Sequence, residues 1–181
     1  MSGVTGFKHD IFISYAHLDN KVLEPQMDGW VKQFFLNLEL MLTNRFGRPG
    51  MVKIWLDKKK LAGNTMFDKS IADTIKDSAV IISLNSMSYK ASDYCQQELK
   101  MFYDKAKNEP LGVAIGDKSR IIHVLLNNIP YQEWPEELSG TSGFPFHDST
   151  DPESLGDPLE TTSKEFREKM KQLRDALWVT L

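Results

Sequence analysis

The sequence predicts an α/β fold, a three-layer sandwich in which one five-stranded parallel sheet is covered by helices on both faces. Short runs of β-branched and aromatic residues, with few polar positions, are typical of strands that are buried on both faces. Between these runs, apolar residues recur at a spacing of three to four, as they do on amphipathic helices. The two patterns alternate along 181 residues, a length that favours one domain.

The first half of the chain supplies two predicted strands and two predicted helices. Residues 10–15 (DIFISY) form the first strand, and residues 52–56 (VKIWL) form the second. The helix between them ends near Gly47, Pro49 and Gly50, and its apolar stripe consists of Val31, Phe34, Phe35, Leu38 and Leu42. A loop over residues 57–65 then leads to a short helix that is marked by Phe67, Ile71 and Ile75.

The second half supplies the remaining elements. Residues 79–84 (AVIISL) form the most apolar strand, which we expect at the centre of the sheet, and residues 120–126 (RIIHVLL) form the fourth strand. A helix over residues 92–107 lies between them, with Ser92 as its N-cap. Residues 144–147 form a short fifth strand, near an edge because Pro145 interrupts it. A polar loop follows, and the last helix carries an apolar stripe of Phe166, Met170, Leu173 and Leu177.

Right-handed crossovers leave few topologies for such a chain, and five strands predict the flavodoxin-like order 2-1-3-4-5. In sheets of this kind, ligands bind at the carboxyl ends of the strands where the winding reverses, here between the first and third strands. The candidate site therefore involves residues 14–17, residues 85–88 and the loop after the second strand.

Composition excludes several classes of function. The net charge is -3, so the basic surface of a nucleic-acid-binding protein is missing. The only cysteine, Cys95, rules out an intrachain disulfide and predicts a reducing, cytoplasmic location. No signal peptide and no apolar run of about 18 residues occurs, so we expect no membrane span. The histidines show no ligand spacing, so no metal site is predicted, and His123 is interpreted as a buried histidine with a hydrogen-bond partner.

Four segments carry a family resemblance in the right order. They are residues 10–19 (DIFISYAHLD), residues 55–63 (WLDKKKLAG), residues 71–99 (IADTIKDSAVIISLNSMSYKASDYCQQEL) and residues 144–148 (FPFHD). Together they resemble TIR (Toll/interleukin-1 receptor) domains, in which residues 57–65 correspond to the BB loop. The resemblance implies a single TIR domain over residues 1–181, with its core at about 8–180. Whether it is excised from a longer protein with a sensor or oligomerisation domain is open.

The segment around Glu98 resembles the TIR domains that cleave NAD⁺, including bacterial members of anti-phage immune defence. Those enzymes carry a Ser-x-aromatic-Cys-x-x-Glu pattern, which matches Ser92, Tyr94, Cys95 and Glu98 here. The resemblance implies that Glu98 is catalytic. The enzymes commonly have tryptophan where this chain has Tyr94, which leaves the base-stacking role of that position in doubt.

The resemblance further implies an NAD⁺ glycohydrolase or cyclase that becomes active when it self-associates with other TIR domains as a homo-oligomer or filament. NAD⁺ would be a substrate, with no cofactor, because the chain has no Gly-x-Gly-x-x-Gly segment after a strand and no P-loop. The alternative is a non-catalytic adaptor that assembles with other TIR domains through the BB loop. A module that binds FMN or accepts phosphate is disfavoured because Ser14, Tyr15 and Ala16 stand where response regulators need acidic residues.

The chemistry of NAD⁺ cleavage makes one carboxylate sufficient. Nicotinamide leaves the ribose as a neutral base and needs no proton, so the acid-plus-base pair of ordinary glycosidases is not obligatory. A single glutamate can bind the ribose hydroxyls, stabilise the oxocarbenium-like transition state and activate water. Glu98 lies four residues after Tyr94, so both share one face of the predicted helix.

The predicted substrate-binding residues come from each of these regions. They are Ser14, Tyr15, Ala16, His17, Trp55, Asp57, Leu61, Gly63, Ser86 and Tyr94. Several have a structural alternative: Trp55 either lines the pocket or belongs to the core, and Asp57 orders the BB loop rather than touching substrate. Asp19 is a candidate helix cap. The run Lys58–Lys60 either faces the pyrophosphate or is a solvated charged surface.

Overall fold

A parallel sheet of five strands forms the centre of the fold in the computed structural model, which describes residues 6–24, 26–57 and 68–181. The strands are β1 (His9–Ser14), β2 (Ile54–Leu56), β3 (Ser78–Asn85), β4 (Ile121–Leu125) and β5 (Phe144–Pro145). Their order is β2-β1-β3-β4-β5, and every neighbouring pair is parallel. The predicted fold class and strand order are confirmed.

Five helices cover this sheet in the described part of the chain. They are α1 (Trp30–Phe46), α2 (Lys69–Lys76), the single turn α3 (Met87–Lys90), α4 (Asp93–Asn108) and α5 (Lys164–Thr180). Gly47 ends α1 with φ 73°, a left-handed conformation that glycine adopts without the strain a Cβ would cause. The Ser92 side chain accepts a hydrogen bond from the Cys95 N–H at the start of α4, so the predicted N-cap is confirmed.

The core has two parts, one on each face of the sheet. Helices α1 and α5 pack against one face, and they bury Val31, Phe34, Leu38, Leu42, Met170, Leu173 and Leu177. Helices α2 and α4 cover the other face, where they bury Ile71, Ile75, Cys95, Leu99 and Phe102. The strands between them carry apolar side chains on both faces, as the nearly continuous apolar runs indicate.

One row across the sheet is polar. Parallel pairing sets Ser14 of β1 opposite Ser83 of β3, and Ser83 opposite His123 of β4. All three are fully buried. Side chains in register on neighbouring strands point to the same face, so this row brings hydroxyl and imidazole groups together inside an apolar sheet.

Several predicted boundaries shift, and several short elements were missed, among them the 3-10 turns His17–Asn20, Tyr131–Glu133 and Glu136–Leu138. β1 ends at Ser14 rather than at Tyr15, and β2 begins at Ile54 rather than at residue 52. β5 has only two residues, since Pro145 has no N–H to continue the ladder. The others are α3 and an antiparallel hairpin of Ala114–Ile115 with Lys118–Ser119, which are likewise too short to produce a hydrophobic period.

Candidate functional site

Glu98 lies inside the molecule, next to the carboxyl end of β1. Helix α4 begins directly after the turn that follows β3, so Glu98 on its second turn reaches back over the sheet. The residue is 1% exposed. The Ser14 hydroxyl donates a hydrogen bond to Glu98 Oε2 over 2.5 Å. This hydrogen bond ties the Glu98 side chain to the last residue of β1.

Tyr89 of α3 extends this network and was not predicted. Its hydroxyl lies 2.9 Å from Ser14 Oγ and 3.3 Å from the Cys95 carbonyl oxygen. Tyr89 is fully buried, and burial raises the pKa of its phenol well above the ordinary value, so it stays protonated. The sequence around it, SMSYK, contains no periodic or motif signal that marks a tyrosine on an inward-facing turn.

A second group of predicted residues forms one side of the site. The Tyr15 hydroxyl donates to the Asp57 carbonyl oxygen over 2.8 Å, and the Tyr94 hydroxyl donates to Asp57 Oδ2 over 3.3 Å. Burial, then the charges of Asp57 and Glu98, raise the pKa of Tyr15. Burial, then the charges of Glu98 and Asp57, raise the pKa of Tyr94. The ends of β1 and β2 and the start of α4 therefore bring two carboxylates and two tyrosines together.

A depression opens beside this group, on the α3 side. It has a volume of about 470 Å³, and its lining includes Ala16, His17, Leu18, Met87, Ser88, Ala91 and Ser92. Two of the predicted contacts, Ala16 and His17, therefore border open space. Among the described residues that line this depression, Glu98 does not occur.

Ser86, another predicted substrate contact, makes two hydrogen bonds within the protein, and its predicted contact with substrate stays a prediction. Its hydroxyl donates to Asp19 Oδ2 over 2.6 Å and accepts from the Tyr89 N–H over 3.0 Å. Burial raises the pKa of the Asp19 carboxyl to about 6, opposed by the Ser86 hydrogen bond. Asp19 lies within the short 3-10 turn His17–Asn20 and does not cap a helix as one interpretation had it. The Asp19–Ser86 pair ties the loop after β1 to the loop after β3.

Trp55 belongs partly to the core, and its predicted place in the substrate pocket stays a prediction. The indole stacks on Phe12 with ring centroids 4.9 Å apart, so one face belongs to the core. The residue also lines another cavity, of about 510 Å³, together with Asp57 and residues of α1 and α2. The structure thus places Trp55 and Asp57 at the β2 edge of the site, and Ala16 and His17 at its β3 edge.

Part of the prediction lies outside the described residues. Leu61 and Gly63, together with the run Lys58–Lys60, belong to the segment 58–67, so their proposed contacts stay predictions. His123 is buried, and its Nε2 lies 3.0 Å from the Asn85 amide nitrogen, in accordance with its interpretation as a partnered core histidine. Over residues 6–24, 26–57 and 68–181, no group of three or more His, Cys, Asp or Glu side chains is arranged to hold a metal ion.

The comparison with protein families decides the identity of the fold. The sequence model of the TIR domain family matches residues 11–159, most of the chain. The chain belongs to the TIR domain family. The recognition made from the four sequence segments is therefore confirmed, and the depression and the Glu98 network are features of a TIR domain.

Comparisons with individual proteins give less information than the family model. A solved structure of the TIR domains of the activated Roq1 resistosome, directly recognizing the pathogen effector XopQ, is 15% identical to this TIR domain. The match covers 95% of this chain and 82% of that chain, with a TM-score of 0.44. No curated protein matches the sequence. Among the described helices, none is long and apolar enough to cross a membrane.

Proposed function

We propose that this TIR domain cleaves NAD⁺ between ribose and nicotinamide, with Glu98 as the catalytic carboxylate. One observation carries the proposal: Glu98 is held by Ser14 at the carboxyl end of β1, at the point where the winding of the sheet reverses. The Ser92, Tyr94, Cys95 and Glu98 pattern of NAD⁺-cleaving members supports the same assignment. The setting we propose is prokaryotic immune defence, with the activating sensor supplied by another domain or a separate partner.

The proposed reaction needs little from the protein besides this carboxylate. The N-glycosidic bond breaks with its electron pair going to the nicotinamide nitrogen, which leaves as a neutral ring. The positive charge that develops on the ribose is stabilised by the negative charge of Glu98. Water then adds to the ribose carbon and gives up a proton, for which Glu98 is the general base, and ADP-ribose forms. Attack by an adenine nitrogen instead of water gives cyclic ADP-ribose.

Burial of Glu98 has a consequence for activation. At 1% exposure the carboxylate cannot contact a ribose in the arrangement described. Access requires the side chains that cover it to move, and association of one TIR domain with another is the event that we propose to supply this change. We therefore expect activity in the self-associated form and little in the monomer.

The test compares Glu98→Gln with a matched control. Glutamine has nearly the same shape and can still accept from Ser14, so the fold should persist while the charge is lost. Glu168→Gln makes the same chemical change on α5, where the side chain is 57% exposed. We expect Glu98→Gln to lower nicotinamide release by about 100-fold or more, and Glu168→Gln to leave it unchanged.

The assay measures nicotinamide and ADP-ribose products by mass spectrometry, with protein whose self-association is verified by light scattering. Activity of Glu98→Gln at the wild-type level would reject the catalytic role of this residue.

A second candidate, a non-catalytic TIR adaptor, is favoured by the same burial. A carboxylate that is closed off from solvent and hydrogen-bonded to Ser14 also suits a residue that ties α4 to β1. This reading predicts that verified assemblies of the wild-type protein release no nicotinamide, whereas the enzyme proposal predicts release that depends on Glu98.

A further inference from the structure

A string of hydrogen-bonding groups runs from Glu98 into the interior of the TIR domain. Ser14 Oγ lies 2.5 Å from Glu98 Oε2 and 2.9 Å from the Tyr89 hydroxyl, which in turn lies 3.3 Å from the Cys95 carbonyl oxygen. We propose that Tyr89 is a positioning residue that acts on Glu98 through the Ser14 hydroxyl. The inference rests on the proposed function only where it concerns catalysis, because the string itself needs no substrate.

The number of protons in this string decides which group donates each hydrogen bond. Each hydroxyl has one proton. When Glu98 is ionised, Ser14 donates its proton to Oε2, so the bond between Ser14 and Tyr89 must be made by the Tyr89 proton. Both donors then point toward the carboxylate. Burial raises the pKa of the Tyr89 phenol well above the ordinary value, so Tyr89 keeps its single proton, and the Cys95 carbonyl oxygen at 3.3 Å is the alternative acceptor for it.

The same heavy atoms also suit a protonated Glu98. Glu98 then donates to Ser14, Ser14 donates to Tyr89, and Tyr89 donates to the Cys95 carbonyl oxygen, which lies within reach. Only the hydroxyl hydrogens turn. A residue that takes a proton from water during the reaction can therefore change charge without moving.

Two hydrogen bonds hold the Tyr89 backbone. The Tyr89 N–H donates to the Ser86 hydroxyl over 3.0 Å, and the Gln96 side-chain amide donates to the Tyr89 carbonyl oxygen over 3.1 Å. α3 is thus anchored to the end of β3 and to α4. A single turn that is held in this way presents the phenol at a defined distance from Ser14.

Other titratable groups surround the carboxylate. They interact electrostatically with Glu98 or with the tyrosines beside it, and they are Tyr15 directly after β1, Asp57 after β2, and Tyr94 and Cys95 of α4. A variant that tests the string must leave these four groups in place. Tyr89→Phe does so, because it removes one hydroxyl and keeps the ring.

The experiment follows the Glu98 side-chain carboxyl by ¹³C NMR during a pH titration of the wild type, Tyr89→Phe and Ser14→Ala. Losing Ser14 removes a hydrogen bond to the charged form, so the pKa of Glu98 should rise by about one unit. Losing Tyr89 weakens that bond indirectly, and the pKa should rise by about 0.5 unit. Tyr103→Phe, on the same helix as Glu98, is the matched control and should leave the titration unchanged.

The double variant decides whether Tyr89 acts through Ser14. We expect Ser14→Ala combined with Tyr89→Phe to match Ser14→Ala alone, because the string is already broken. Additive shifts, or a wild-type titration in Tyr89→Phe, would overturn the proposal. If Tyr89→Phe does not fold, 3-fluorotyrosine at position 89 replaces it. That more acidic phenol should lower the pKa of Glu98, and an unchanged value would again overturn the proposal.

The titration requires no NAD⁺, which separates the two proposals. If the assembled wild type releases no nicotinamide, the proposal that the protein cleaves NAD⁺ is rejected. The NMR titration still tests whether Tyr89 acts on Glu98 through Ser14. In active protein, we expect Tyr89→Phe to move the acidic limb of the kcat–pH profile upward by the same amount as the pKa of Glu98, with KM for NAD⁺ unchanged. A purely structural role for Tyr89 would lower thermal stability and leave that limb in place.

Discussion

Lowering the pH from 7.5 to 5 should destabilise this TIR domain through His123, and His123→Gln should remove that part of the loss. His123 is fully buried on β4, with the Trp134 ring edge-on at 4.3 Å. The Asn85 amide nitrogen lies 3.0 Å from His123 Nε2, and His123 Nδ1 has no hydrogen-bond partner among the described residues. Burial lowers the pKa of His123 from 6.5 to about 4, so the folded protein keeps the ring neutral.

The sign and size of the effect follow from proton linkage. As the pH falls below 6.5, the unfolded chain protonates this histidine while the folded protein does not until about pH 4. The unfolded state then binds more protons, so the free energy of unfolding decreases as the pH falls. Each pH unit across this window is worth about 1.4 kcal/mol, which amounts to about 2 kcal/mol at pH 5. Native domains have only about 5–15 kcal/mol in total, so the loss is measurable.

The Asp19 carboxyl works in the opposite direction over part of the same range. Burial raises its pKa to about 6, so the folded state takes up this proton first and gains stability on acidification. The pH dependence of wild-type stability therefore combines a loss from His123 with a gain from Asp19. Only the difference between wild type and a His123 variant isolates the histidine.

The assay is urea unfolding at pH 7.5 and pH 5, followed by the fluorescence of the four tryptophans. Glutamine does not titrate in this range, and its carbonyl can accept from the Asn85 amide. The loss of the imidazole ring affects both pH values equally and cancels. We expect the wild type to lose about 2 kcal/mol more than His123→Gln between the two pH values. Equal losses would refute the argument, and His9→Gln, at a less buried histidine, should differ less from the wild type.

Two further predictions concern stability and are checked by the same unfolding assay at pH 7.5. Ser163→Ala removes the side-chain oxygen that accepts a hydrogen bond from the Phe166 N–H at 3.1 Å, which leaves the start of α5 uncapped. The free energy of unfolding should fall by about 1 kcal/mol. An unchanged unfolding midpoint would contradict the capping role of Ser163. Phe34→Ala deletes a fully buried ring of α1 and should cost about 3–5 kcal/mol, whereas Leu40→Ala on the same helix, at 59% exposure, should change stability by less than about 0.5 kcal/mol.

Predictions from local patterns were largely correct. The inward face of α4, with Cys95, Leu99 and Phe102, follows from helical spacing, and Ser92 follows from its place before the helix. Errors concentrate at ends and short elements, such as the two-residue β5 and the single turn α3. Hydrophobic periodicity needs several residues to be visible, so it cannot define such segments.

The contacts within the candidate site could not be predicted from local sequence patterns in the same way. Glu98 and Ser14 were both singled out, but nothing in the sequence indicates that they bond to each other, 84 positions apart. Ser86 was predicted as a substrate contact, and its observed partners are Asp19 and the Tyr89 N–H. Tyr89 was missed altogether. Each of these contacts depends on which strand ends lie side by side and on how far a helix turns before it reaches them.

The sequence by itself determined the layer architecture, the strand order and the family of this TIR domain. The layers follow from hydrophobic periodicity, the strand order from the right-handed crossovers between five strands, and the family from the order of its motifs. Only the tertiary structure decided that Glu98 is buried beneath the end of β1 and joined through Ser14 to Tyr89. The physical reason is that hydrogen bonds are directional over about 3 Å. Their partners are set by the register of β1 against β3 and by the placement of α3, which no local pattern of residues encodes.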